Sequence, residues 1–129
     1  MKILVCGGSG FIGSAFIHKY LKSNSELSIT NIDNLTIGSN QENLKDIQSN
    51  NQYNFIQDNI QNESVISNLV KDFDIVVNFA AESHVDRSIS NPKPFVETNV
   101  LGTYSLLEAI RKHDKLFIHV STDEVYGDA

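Results

Sequence analysis

The sequence predicts an α/β domain built on a doubly wound parallel sheet. Three observations point to it. Short apolar runs alternate with amphipathic segments of helical period along the whole chain. The first run, Ile3-Leu4-Val5, enters a turn in which Gly7, Gly10 and Gly13 recur every third residue, and an amphipathic segment leaves that turn at Phe11. Asp33 closes the second apolar run, twenty residues past Gly13. A strand, a glycine turn, a helix and then an acid at the end of the next strand describe the Rossmann type of sheet.

Taken in order, strands are predicted near 2–6, 27–33, 53–57, 74–79 and 115–121, and helices near 11–23, 39–49, 63–71 and 95–112. The first helix carries Phe16, Ile17, Tyr20 and Leu21 on one face, and the third carries Val65, Ile66, Leu69 and Val70. The stretch 39–54 is rich in Asn and Gln and reads as a solvated helix and loop. Pro92 and Pro94 block helix before the last one, and Pro94 suits its start. That helix repeats Val96, Val100, Leu101, Tyr104, Leu107 and Ile110 at three and four, with apolar positions on more than one side. Ile75-Val76-Val77 and Leu116-Phe117-Ile118 are unbroken apolar runs, as parallel strands covered on both faces require. Strand–helix–strand units with right-handed crossovers give one open sheet, truncated after its fifth strand, in a single domain spanning 1–129.

The bulk numbers exclude several classes. A hydrophobic content of 40% lets 129 residues bury a core. The net charge of −6, without a basic cluster, argues against nucleic acid or an anionic membrane as partner. No apolar run approaches the roughly 20 residues needed to cross a bilayer. The opening Met1 to Cys6 is too short for the core of a signal peptide. Cys6 is the only cysteine, so no internal disulfide forms and a cytoplasmic setting is expected. Its place beside a helix N-terminus could lower its pKa, but a small apolar residue at a strand end is the plainer reading.

In such sheets ligands lie beyond the carboxyl ends of the strands. Gly7 permits a tight turn, Gly10 lets a pyrophosphate approach the backbone, and Gly13 lets the helix pack close to the strand. A carboxylate at Asp33 can accept both ribose hydroxyls of an adenosine and repel a 2′-phosphate, which favours NAD over NADP. It could equally be a turn residue. After the fourth strand, Ala80 and Ala81 leave room for a flat ligand. Polar residues Glu82, Ser83, His84, Asp86 and Arg87 then crowd into what reads as a loop, functional or merely solvated around an Asp86–Arg87 pair. After the fifth strand come Thr122, Asp123 and Glu124. Held in different surroundings, one carboxylate can serve as acid and the other as base. The same residues could be only a helix N-cap followed by acids.

Together these segments resemble the extended short-chain dehydrogenase family of nucleotide-sugar enzymes, over the whole chain. The pieces that carry the resemblance are Gly7 to Gly13, Asp33-Asn34-Leu35-Thr36, Ala80 to Ile89, Thr98-Asn99 with Gly102-Thr103, and Ser121 to Gly127. Asp123 sets the chain apart from the family's epimerases and decarboxylases, which usually carry serine or alanine there. The resemblance implies an NAD-dependent lyase of deoxysugar biosynthesis. NAD+ takes a hydride from C4 of dTDP-glucose, Glu124 removes the C5 proton, and Asp123 protonates the C6 hydroxyl as it leaves. Hydride return to C6 gives the 4-keto-6-deoxy sugar. It also implies that Gly7, Gly10, Phe11, Ile12, Gly13, Asp33, Asn34, Leu35, Thr36, Asp58, Asn59, Ile60, Phe79, Ala80, Ala81, Glu82, Ser83 and Thr98 hold NAD. Ser83 and Thr122 touch the sugar, no metal takes part, and the long helix supports a homodimer of the full-length protein.

Two departures stand out. Asn59 occupies the position of the family's adenine-binding aspartate, which Asp58 could assume instead. The family's Tyr-x-x-x-Lys pair is absent, since the fourth residues after Tyr20, Tyr53 and Tyr104 are Asn24, Gln57 and Glu108. The chain is therefore expected to be the N-terminal cofactor-binding part of such an enzyme and inactive alone. Competing expectations are a UDP-sugar epimerase or decarboxylase of the same family, and a non-catalytic NAD-binding module.

Overall fold

A computed structural model describes residues 1–128. Five strands, β1 (Lys2–Cys6), β2 (Ser28–Asp33), β3 (Tyr53–Gln57), β4 (Ile75–Asn78) and β5 (Leu116–His119), form one parallel sheet in the order β3-β2-β1-β4-β5. The chain winds outward from β1 to β3, then returns to the other side of β1 for β4 and β5. The order thus reverses between β1 and β4, where such sheets open a crevice at their carboxyl ends. In register, Cys6 of β1 lies between Ile32 of β2 and Asn78 of β4, so three strand ends meet there.

Both faces are covered, because alternate residues of each buried strand are apolar. Leu4, Cys6, Ile32 and Val76 pack with Ile66 and Val70 of α2 (Glu63–Val70) and with Leu106 and Ala109 of the long C-terminal helix. Ile3, Val5, Ile29 and Val77 pack on the other face with Ile17 and Leu21 of α1 (Phe11–Ser23). β5 pairs only with β4, and Leu116, Ile118 and Val120 on and beside it are exposed.

Helices depart from the sequence expectation in three places. The predicted helix over 39–49 is a 3-10 helix, Gln41–Ile47, capped by Asn40 accepting from the Glu42 amide at 3.0 Å. Only Leu44 and Ile47 are buried there, at the spacing of three that a 3-10 helix places on one side. The residues after β4, read as a loop, form α3 (Val85–Ser90). None of its residues is buried, so it carries no apolar periodicity to reveal it.

The long helix runs from α4 (Lys93–Phe95) through a π-helical stretch, Val96–Gly102, into α5 (Thr103–His113). Gly102 sits where a Cβ would come within 2.5 Å of Ile60 Cδ1. Val96, Val100, Leu101, Tyr104 and Leu107 remain exposed on it. No helix among the described residues is long and apolar enough to cross a membrane.

Candidate functional site

The turn after β1 is built by exclusion. Gly7 has φ +76°, and a Cβ there would lie 2.6 Å from the Ala80 amide nitrogen. A Cβ on Gly13 would overlap the Gly7 carbonyl oxygen, so the first turn of α1 lies against the strand end. Gly10 differs, since its Cβ would meet only the Gly7 oxygen, at 3.4 Å. The space over Gly10 is cleft. Gly8, which the sequence reading left without a role, has no such freedom, because a Cβ would overlap the Asn31 carboxamide.

Hydrogen bonds sort the turn's amides into two sets. Gly7 N–H donates to Ile32 O, Gly8 N–H to Asn31 Oδ1 and Ser9 N–H to Asp33 Oδ2, each at 2.9 Å, and Gly10 N–H to Gly7 O at 3.3 Å. The amides of Phe11, Ile12 and Gly13 have no partner among the described residues, and all three residues line the cleft. Unpaired amides in the first turn of a 13-residue helix favour an anion.

The cleft holds about 1050 Å³ and runs from this turn to the end of β5. It brings together Gly7, Gly10, Phe11, Ile12 and Gly13; Asp33, Asn34 and Thr36; Asp58, Asn59 and Ile60; Phe79, Ala80, Ala81, Glu82 and Ser83; Thr98; and Thr122, Asp123 and Glu124. Leu35 alone of the sequence candidates is not part of its lining. It sits in the left-handed region, φ 56°, with its amide donating to Asp33 Oδ1 at 2.9 Å. Its contribution is therefore the turn itself.

Asp33 is buried, and each of its oxygens already accepts one backbone amide. The alternatives left open in the sequence, ribose acceptor and turn residue, are compatible here, since each carboxylate oxygen has a further lone pair. At Asp58-Asn59, Asp58 Oδ1 accepts the Asn59 amide at 2.7 Å and Asn59 Oδ1 accepts the Gln61 amide at 3.0 Å. The Asn59 Nδ2 group has no partner among the described residues and could donate to an adenine ring nitrogen.

Glu82 anchors the turn after β4. Its amide donates to Asn99 Oδ1 at 2.9 Å and its carbonyl accepts from Asn99 Nδ2 at 2.8 Å. Its buried carboxylate accepts from Arg87 Nη1 at 3.2 Å and from Thr36 Oγ1 at 3.3 Å. The sequence pairing of Arg87 with its neighbour Asp86 is thus replaced: α3 turns the guanidinium back onto Glu82, where a buried carboxylate needs a partner. Asn78, wholly buried at the end of β4, accepts the Ala80 amide at 3.0 Å and lies 3.2 Å from His119 Nδ1 through its Nδ2. The Asn78 and Asn99 side chains belong to the site's framework, and their position just past a strand and inside the wide helical turn is the signal for both.

At the mouth, Thr122 is the N-cap of a 3-10 helix, Asp123–Tyr126, its Oγ1 accepting the Glu124 amide at 3.3 Å. The cap alternative is therefore realised. Asp123 and Glu124 are both exposed, so the different surroundings expected of them do not exist among the described residues. Beyond β5 nothing covers them. The Cys6 thiol is completely buried, and burial, with a smaller contribution from the Asp33 charge, pushes its pKa from 9.0 up to about 12. The activated-thiol alternative is excluded. No group of three or more His, Cys, Asp or Glu among the described residues could hold a metal ion.

Residues 4–129 match the family model described as GDP-mannose 4,6 dehydratase. The dTDP-glucose 4,6-dehydratase of Salmonella typhimurium is 48% identical over 140 aligned positions, covering 99% of this chain and 38% of that protein. The Mycobacterium tuberculosis protein of the same name is 44% identical, again over 99% of this chain and 38% of its own length. Among solved structures, the Streptomyces venezuelae dTDP-glucose 4,6-dehydratase with NAD and TYD bound superposes with a TM-score of 0.92 at 38% identity, covering 100% of this chain and 42% of that one. The Bacillus cereus UDP-glucuronic acid 4-epimerase, in complex with UDP-glucuronic acid and NAD, gives 0.89 at 38% identity with the same coverage. The chain thus spans about two fifths of the length of the relatives it matches.

Proposed function

The chain belongs to the GDP-mannose 4,6-dehydratase family, and from that membership we propose that it is the NAD-binding part of a dTDP-glucose 4,6-dehydratase. One observation carries the reading. A single cleft holds the unpaired amides of Phe11, Ile12 and Gly13 at one end and Thr122, Asp123 and Glu124 at the other.

The residues fit a dinucleotide. The three amides and the bare face of Gly10 receive the diphosphate, and Asp33 takes the adenosine ribose through its remaining lone pairs. Asn59 donates to the adenine edge. Ala80 and Ala81 leave room beside the backbone for the nicotinamide half. When bound, NAD supplies the acceptor for the C4 hydrogen of the glucose and returns it at C6. Glu124 takes the C5 proton once C4 is a ketone, Asp123 gives a proton to the departing C6 oxygen, and Thr122 and Ser83 hold sugar oxygens. In this reading the longer protein is a cytoplasmic homodimer built on the exposed apolar face around Val100 and Tyr104. The 129-residue chain alone, without a Tyr-x-x-x-Lys pair, binds NAD but turns over no sugar.

The exposure of both carboxylates favours a second reading for this chain by itself, a module that binds NAD without catalysis. Asp123 disfavours an epimerase or decarboxylase. Calorimetry of the purified chain with NAD+ and NADP+ tests the cofactor. Binding of NAD+ in preference to NADP+ is expected, and binding of neither would overturn the reading.

A further inference from the structure

We infer that Asn31 is a positioning residue for the diphosphate of the cofactor, an inference that rests on the NAD reading above. Asn31 and Asp33 stand two apart on β2 and share the face opposite Ile32, because side chains alternate along a strand. They grip consecutive amides of the glycine turn, Gly8 and Ser9.

Asn31 is 0% exposed, at a position where a parallel sheet ordinarily carries an apolar side chain. A buried carboxamide is costly unless its polar groups are matched. Here all are matched. Oδ1 accepts Gly8 N–H, and the two Nδ2 hydrogens go to Ser9 Oγ at 3.1 Å and to Tyr53 OH at 3.2 Å. From the opposite side, the Asn40 amide and Asn43 Nδ2 both donate to the Ser9 carbonyl at 3.0 Å. Ser9 is therefore pinned on two sides, and Gly8 on one.

The clamp decides which amides face the ligand. With Gly8 and Ser9 turned toward β2, the first donors open to the cleft are those of Phe11, Ile12 and Gly13. An anion is thereby registered on the first turn of α1 rather than over the loop. Asn31 touches no ligand and acts through Gly8 and Ser9.

The test uses the chain itself, with NAD+, ADP and adenosine as ligands. In Asn31→Leu, affinities for NAD+ and ADP are expected to fall about tenfold, the scale of one misplaced hydrogen-bonding group, while adenosine stays within about twofold. Equal weakening of all three would mark a merely structural residue and overturn the inference, as would unchanged affinity for NAD+ and ADP. Should the variant fail to fold, amide exchange and chemical shifts of the wild-type chain decide. The Gly8 amide should exchange slowly and hold its shift when ADP is added, while those of Phe11 and Ile12 move. A freely exchanging Gly8 amide, or one that moves as far as Phe11, overturns the inference. Wild-type chain that binds neither NAD+ nor ADP removes the cofactor reading, and the inference with it.

Discussion

The Asp33 carboxylate accepts the Ser9 amide at 2.9 Å across the gap between β2 and the glycine turn. One side chain therefore shapes the turn and, in the proposed function, selects the ribose. In Asp33→Asn the amide nitrogen must face either Ser9 N–H or Leu35 N–H, leaving one donor without its acceptor at a cost of about 1–3 kcal/mol. Thermal unfolding should show that loss. Calorimetry should show a narrowed preference for NAD+ over NADP+, since the charge that repels a 2′-phosphate is gone. An unchanged preference would remove Asp33 from the ribose site.

The glycines separate folding from binding. Alanine at position 7 meets both a left-handed backbone and the Ala80 backbone, so Gly7→Ala should cost about 3 kcal/mol or more. Position 10 has φ −74° and no atom nearer than 3.4 Å, and as a helix cap the same change costs only a few tenths of a kcal/mol, that is ~0.3. Gly10→Ala should melt with the wild type but lose about tenfold or more in NAD+ affinity, because its methyl occupies the diphosphate's place.

Glu82 and Arg87 are unequal partners. The Glu82 side chain is 6% exposed and that of Arg87 32% exposed. Arg87→Ala leaves a buried carboxylate without its cation and should destabilise by about 2 kcal/mol, less than for a fully buried pair because water reaches the arginine. Glu82→Gln, which keeps an acceptor for Thr36 without a buried charge, should cost less. Urea unfolding of both variants gives the comparison, and an equal loss would contradict the asymmetry.

Cys6 gives a pH signature. Below pH 9 the thiol is protonated in both the folded and the unfolded chain. Between 9.0 and about 12 the unfolded chain releases the proton first, so the folded state loses stability as pH rises. The slope attributable to this group approaches ~1.4 kcal/mol per pH unit within that window. The difference in stability between wild type and Cys6→Ala, measured from pH 8 to pH 10 (about the onset of the window), should shrink as pH rises. Native protein should also resist thiol alkylation at pH 8 (roughly the usual assay condition).

In a longer protein that carries this segment, Asp123→Asn should stop loss of water while leaving oxidation at C4 intact. The reduced nicotinamide absorbance would then accumulate instead of cycling. The predicted loss in dehydration is about a hundredfold or more, the usual contribution of a general acid. Undiminished dehydration would assign the acid to another residue.

Sequence patterning located β1, its glycine turn and α1 because each needs a residue type that leaves a mark: apolar alternation, glycine where a Cβ has no room, and Ile17 and Leu21 at helical spacing. It located the segments around the cleft because a parallel sheet collects its strand ends on one side. It missed α3 because that helix buries nothing. It missed the grip of Asn31 on Gly8 because such a bond depends on strand register between residues 23 apart, not on local spacing. Asp123 and Glu124 were placed at the mouth, but their surroundings depend on what packs beyond β5.

The π-helical stretch between Val96 and Gly102 has a consequence for heredity. Loss of one codon there would rotate everything downstream by about 100° relative to Lys93 and Pro94. Leu106 and Ala109 would swing away from the sheet they cover. Point substitutions on the exposed side of that helix are absorbed easily. An in-frame deletion of a single residue is not, and lineages carrying this segment should vary in its letters while keeping its length.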